Sequence, residues 1–126
     1  MIEQNEESKF KIGEKSEKLY SSVFDLTTSR KHYPVKFRRL ADTMQKYALE
    51  IHSNVLDANS FPTDTPAHKA LRFDAKTSAV SNCNKLFSLI KYSLSKQMIS
   101  SASCAELSEL CHDVKYMTLA WRKSDF

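Results

Sequence analysis

Glycine occurs once in these 126 residues and proline three times. A fold built on many β-turns needs far more of both, since glycine supplies positive φ and proline presets the bend. An all-α fold is therefore expected. Apolar runs stay at a few residues, well short of the roughly 20 that span a bilayer. The opening stretch MIEQNEESKFKIGEK has neither the basic flank nor the apolar run of a signal peptide, so a cytoplasmic protein is expected. Cysteine is limited to Cys83, Cys104 and Cys111, with no C-x-x-C pair. An odd count at or near apolar helical positions reads as reduced core thiols.

Familiar catalytic and cofactor patterns are missing too. A single glycine rules out a glycine-rich phosphate loop, and no H-E-x-x-H occurs. None of His32, His52, His68 and His112 stands at the distance from an arginine that small helical nucleases of the HEPN type need. Cys104, Cys111 and His112 carry metal-ligating atoms, but Cys111 and His112 point about 100° apart on one helix. No fourth ligand accompanies them. His52, at the edge of an apolar stripe, reads as a hydrogen-bonded boundary residue. The expectation is a non-enzymatic protein with no cofactor and no metal.

What the chain does have is amphipathic helix, in an amount that suits one domain. Residues 1–15 read as a disordered polar leader and residues 16–126 as the folded part. A first helix is expected from about Ser16 to His32, with Leu19, Tyr20, Val23, Phe24 and Leu26 inward. Pro34 ends it and opens the next, because proline disfavours helix in the residue before it and suits a first helical position. The second helix, about Pro34 to Ala58, has the clearest period: Phe37, Leu40, Ala41, Met44, Ala48, Ile51, Val55 and Ala58 share one face. Leu49 and Leu56 lie about 110° away from it and need a neighbour.

Thr65 and Pro66 cap and open a third helix that runs to about Lys96 with Val80, Cys83, Leu86, Phe87, Ile90 and Leu94 as its stripe. Carried backwards, that stripe meets Lys76 and Arg72, which implies a wet or partnered end. A fourth helix starts in the serine cluster at residues 100–103, where Ser103 and Glu106 have capping-box spacing, and closes near Lys123. Its inner stripe is Leu107, Leu110, Cys111, Val114, Met117 and Trp121, with His112, Tyr116 and Leu119 on the other face. Four such helices with short connections pack as an up-down-up-down antiparallel four-helix bundle. At about 1.5 Å per residue these helices are long enough that the two bundle ends are separate places.

Net charge is +4, unevenly spread. Residues 1–17 hold five acids and three bases, so the remainder is about +6. No acid occurs between Asp25 and Asp42 or between Asp74 and Glu106. The stretch RKHYPVKFRRL lies in the first gap. In the expected topology both gaps meet at one bundle end, which collects Arg30, Lys31, Lys36, Arg38, Arg39, Lys91 and Lys96. Such a patch concentrates polyanions and gains free energy by releasing counterions from phosphates. Tyr33 and Tyr92 sit among these cations at positions where a ring could stack on a base. A solvated basic face, or a dock for an acidic protein, is the other reading of the same charge.

Several strings carry a resemblance: FDL at 24–26, YPVKFRRLADTMQKYALEIHSNVLDAN at 33–59, Arg72, Cys83, Leu86, Leu89 and Ile90, IS at 99–100, and VKYMTLAWRKSD at 114–125. Together they resemble the family of small four-helix bundle proteins that includes large-subunit rRNA intervening-sequence proteins and the accessory variability determinant of diversity-generating retroelements. The resemblance implies a basic, non-enzymatic homopentamer that binds DNA and RNA and, in the retroelement branch, works with a reverse transcriptase. Its basic positions correspond to Lys36, Arg38, Arg39, Arg72, Arg122 and Lys123. A pentamer gives Leu49, Leu56, Tyr116 and Leu119 a use as strips against neighbouring subunits. Val35 departs from the pattern, which commonly has a basic or polar residue after the proline.

Overall fold

The computed structural model describes residues 2–124, with side chains described from residue 11 onward. Four helices follow in order: α1 Ile2–Thr28, α2 Arg38–Ser60, α3 Pro66–Ser95 and α4 Ser101–Ser124, with a 3-10 turn at Val35–Phe37 before α2. Each helix packs on the next and α4 closes against α1. With connections this short, the result is the up-down-up-down four-helix bundle. No helix among the described residues is long and apolar enough to cross a membrane.

α2 follows its apolar period closely. Ala41, Met44, Ala48, Ile51, Val55 and Ala58 are buried, while Phe37 and Leu40 are half-buried at its entry. α3 and α4 bury Cys83, Leu86 and Ile90 against Leu107, Leu110, Cys111 and Val114. All three cysteines are buried and free. The Cys111 thiol donates to the Cys83 carbonyl at 3.2 Å. The two sulfurs also shift each other in opposite directions: the Cys83 thiol is pushed up, first by side-chain hydrogen bonding to Cys111 and then by burial, while the same pairing lowers Cys111.

α1 departs from expectation at both ends. It is already helical from Ile2, and Ile12 and Ser16 are fully buried. Side chains 1–10 of the expected leader lie outside the described residues. His52 Nδ1 and Ser16 Oγ share a 2.8 Å hydrogen bond, and Ser16 donates onward to the Gly13 carbonyl at 3.0 Å. The helix also stops earlier than His32. Tyr33 N–H closes a wide turn onto the Ser29 carbonyl at 2.9 Å, and Pro34 opens the 3-10 turn by accepting from Phe37 N–H at 2.8 Å. Proline thus separates the helices with a tight turn rather than starting α2 itself. Phe24, expected inward, is 44% exposed, and Thr27 takes the buried place, donating to the Val23 carbonyl at 2.7 Å and accepting from Gln45 Nε2 at 2.8 Å.

The caps of α3 and α4 are local sequence effects. Thr65 Oγ1 accepts from His68 N–H at 3.1 Å, with Pro66 in the first turn as expected. For α4 the capping serine is Ser100 rather than Ser103: its Oγ accepts from Ser103 N–H at 3.0 Å. That is the N-cap to N3 spacing. Between them, α3 ends in a six-to-one bond from Met98 N–H to the Ser93 carbonyl and an inner bond from Gln97 N–H to the Leu94 carbonyl, at 3.0 and 2.9 Å. This closure requires a left-handed residue, usually glycine. Gln97 occupies it at φ 60°.

Candidate nucleic-acid interface

The end of the bundle that carries the two acid-free spans is held by polar contacts between its loops. Tyr33 is fully buried, and its hydroxyl donates to Ser93 Oγ at 2.9 Å. Burial pushes the phenol above its ordinary range, and the Ser93 bond only partly opposes this. His32 Nδ1 lies 3.2 Å from the Met98 carbonyl. These bonds pin the α1–α2 connection to the end of α3 and the α3–α4 connection. The sequence places Tyr33 among candidate stacking platforms; in the structure its ring is core and unavailable to a base.

Around this anchor Arg30, Lys31, Lys36, Arg39, Lys91 and Lys96 are exposed. Arg38 is different. It is half-buried, its Nη2 donates to the Thr27 carbonyl at 2.9 Å and its Nε lies 3.3 Å from Asp42 Oδ1. Its guanidinium therefore ties α2 to the end of α1. Lys36, Lys91 and Lys96 lie over the rings of Phe37, Phe87 and Tyr92 at 5.1, 5.4 and 5.5 Å. Such exposed cation–ring contacts are weak, about 0.5–1 kcal/mol, so the ammonium groups are readily lent to a phosphate. Tyr92 remains 45% exposed beside them.

This end is not free of acid, a point the linear sequence hides. Asp25 and Glu106, the residues that bound the two acid-free spans, line one cleft of about 430 Å³ between α1 and α4 with His32, Ser22, Ser29 and Ser103. The basic surface is thus indented on one side by two carboxylates. Among the described residues, Asp42 pairs with Arg38.

Three residues carried over from the resemblance lie at the opposite end. Arg72 is 3% exposed, and its Nη1 donates to the Ala58 and Phe61 carbonyls at 2.8 Å each. It caps the C-terminus of α2 from inside the core, where no polyanion reaches it. Beside it Lys76 is buried, its Nζ 4.2 Å from the Trp121 ring, with the Arg72 guanidinium 5.5 Å from the same ring. The two cations on the α3 stripe are therefore partnered, one of the two outcomes the sequence allows. Arg122 Nη1 lies 3.2 Å from Thr77 Oγ1 and packs over Phe73 at 5.2 Å. Lys123 is exposed near it. A bundle length separates these groups from Arg30 and Lys36.

The four apolar residues expected to face other subunits fall into two groups. Leu49 and Leu56, 47% and 51% exposed, project from α2. They stand on the side of α2 where Gln45 and His52 bond α1. Tyr116 and Leu119 stand on the diagonal helix α4, toward α3, where His112 meets Phe87. Among the described residues no three His, Cys, Asp or Glu side chains are grouped to hold a metal ion. No family model, curated protein or solved structure matches this chain.

Proposed function

We propose that this protein is a non-enzymatic accessory protein that binds RNA or DNA through the basic end of the bundle. The observation that carries the reading is the gathering of six exposed cations on helix ends and turns that Tyr33 and His32 lock together. A rigid array of this kind neutralises phosphates without ordering itself first, and the counterions released supply the free energy. The resemblance of the 33–59 and 114–125 strings supports the same ligand class and adds a reverse transcriptase as the protein partner.

Self-association belongs to the same proposal. The strip of Leu49 and Leu56, with Phe24 of α1 exposed on the same side, is the apolar surface that a homo-oligomer, a pentamer by the resemblance, buries. The test is paired charge reversal, Lys36→Glu with Arg39→Glu and Lys91→Glu with Lys96→Glu, read by binding of a labelled structured RNA. Both pairs are expected to lose binding while keeping the wild-type melting temperature. Undiminished binding in both would refute the assignment. Loss of partners from a pull-down after nuclease treatment separates this reading from a dock for an acidic protein.

A further inference from the structure

The groove between α3 and α4 carries a second pattern outside the basic end. Phe87 of α3 and His112 of α4 meet with ring centroids 4.5 Å apart, and Tyr116, one turn on, stacks on His112 at 6.1 Å with 22° between the planes. Phe87 and His112 are half-buried, whereas Tyr116 is 60% exposed. A cation stands at each end of this ladder: Lys91 Nζ is 5.4 Å from the Phe87 ring and Lys115 Nζ is 5.4 Å from the Tyr116 ring. Lys91 is also one of the six cations of the bundle end, so ladder and basic surface are continuous.

We infer that this ladder is a stacking track for single-stranded RNA or DNA, with Tyr116 receiving an unpaired base and Lys91 and Lys115 meeting the flanking phosphates. The inference rests on the proposed nucleic-acid binding and adds a preference for single strands over duplex. Single-strand sites combine a cationic groove with aromatic rings, because every base has a stacking face whatever its sequence. Tyr116 is presented on a prestacked support, so little side-chain freedom is lost when a base arrives. An apolar protein helix laid on the same groove would cover Lys91 and Lys115 without bringing a counter-charge, at a desolvation cost that phosphates avoid. The nearby carboxylate of Asp113 does not neutralise the track, because it is turned to α1 and paired with Lys15 at 2.7 Å. Glu109, one turn before His112, is the exposed acid closest along α4.

The test uses the full chain and one labelled strand of about 20 nucleotides, longer than the roughly 4–16 that a single-strand site covers, free or annealed to its complement. Tyr116→Ala is expected to weaken single-strand binding by about five- to a hundred-fold, the range for losing one base–ring stack, and to leave duplex binding within about twofold. Tyr116→Phe keeps the ring and is expected to bind like the unaltered chain. Equal loss on both forms, or unchanged single-strand binding in Tyr116→Ala while the charge-reversed pairs lose theirs, overturns the track and leaves the basic-end reading standing. A fall in subunit number by light scattering in Tyr116→Ala overturns it in favour of a subunit contact. Absence of binding by the unaltered chain removes the nucleic-acid reading itself, and the track with it.

Discussion

Replacing Arg72 by alanine separates a structural arginine from a binding one. The change deletes two charge-assisted hydrogen bonds to the Ala58 and Phe61 carbonyls, both 2.8 Å long, in a place where the side chain is 3% exposed. Each such bond is worth about 1.5–3 kcal/mol, and water cannot easily replace it at this depth. Contact with the Trp121 ring, at 5.5 Å, adds about 0.5–2 kcal/mol. Against these stands the relief of no longer burying a guanidinium, which cancels part of the gain. The net expectation is a loss of about 3–5 kcal/mol. With an unfolding entropy of about 2.1 cal/mol/K per residue over 126 residues, the melting temperature falls by about 10–20 °C.

Circular dichroism melts measure that shift, and Arg72→Lys, which keeps the charge without the fork, is expected to fall between the two. RNA binding measured at a temperature where both proteins are folded should be unchanged in Arg72→Ala. A melting shift below about 3 °C, or a large loss of RNA affinity in a normally folded variant, would refute the capping role and restore the surface role that the resemblance implies.

Two further outcomes follow from local features. Gln97→Gly relieves the left-handed backbone at φ 60° and is expected to stabilise the protein by about 0.5–1 kcal/mol, measured by urea unfolding; a destabilised variant would contradict the strain argument. Tyr33 holds its proton above its ordinary range in the folded state because it is buried. The unfolded chain therefore releases this proton first, so its contribution to stability should be lost as pH rises through about 10 and above. A flat or rising urea midpoint over that range would be inconsistent with the burial of the Tyr33 hydroxyl.

Most of the bundle is legible in the sequence, because three of its helices are periodic enough to identify the buried face. α2 is the clearest: six of its expected inward residues are buried and two are half-buried at its entry. Reading fails where position depends on a neighbour that the wheel does not contain. Phe24 sits one residue from Val23, about 100° around α1, and only the placement of α2 decides that it stays exposed while Thr27 is buried. Arg72 falls on the α3 core stripe and so needs either water or a partner, but only the position of the α2 end shows that the partners are the Ala58 and Phe61 carbonyls. The 3-10 turn after Pro34 displaces the start of α2 by a few residues, because Phe37 N–H closes onto the Pro34 carbonyl before the α-helical ladder begins.

The candidate site is legible in the same uneven way. The basic end follows from chain order plus antiparallel topology, since short loops bring residues 30–39 and 91–96 to one place. Asp25 and Glu106 share a cleft there because the edges of two acid-free spans fold together, which a linear charge count does not reveal. The stack of Phe87, His112 and Tyr116 spans two helices. Only the i to i+4 spacing of His112 and Tyr116 hints at it in the sequence.

The central claim is that the six exposed cations at the bundle end bind phosphates. Its most direct measurement is the affinity for one single-stranded RNA as a function of salt concentration. With most of these cations engaged, log affinity should fall linearly with log salt at a slope of about −3 to −4, near −0.7 per phosphate neutralised, and the slope should shrink in the charge-reversed pairs. A slope near zero, or no binding at low salt, would contradict the account.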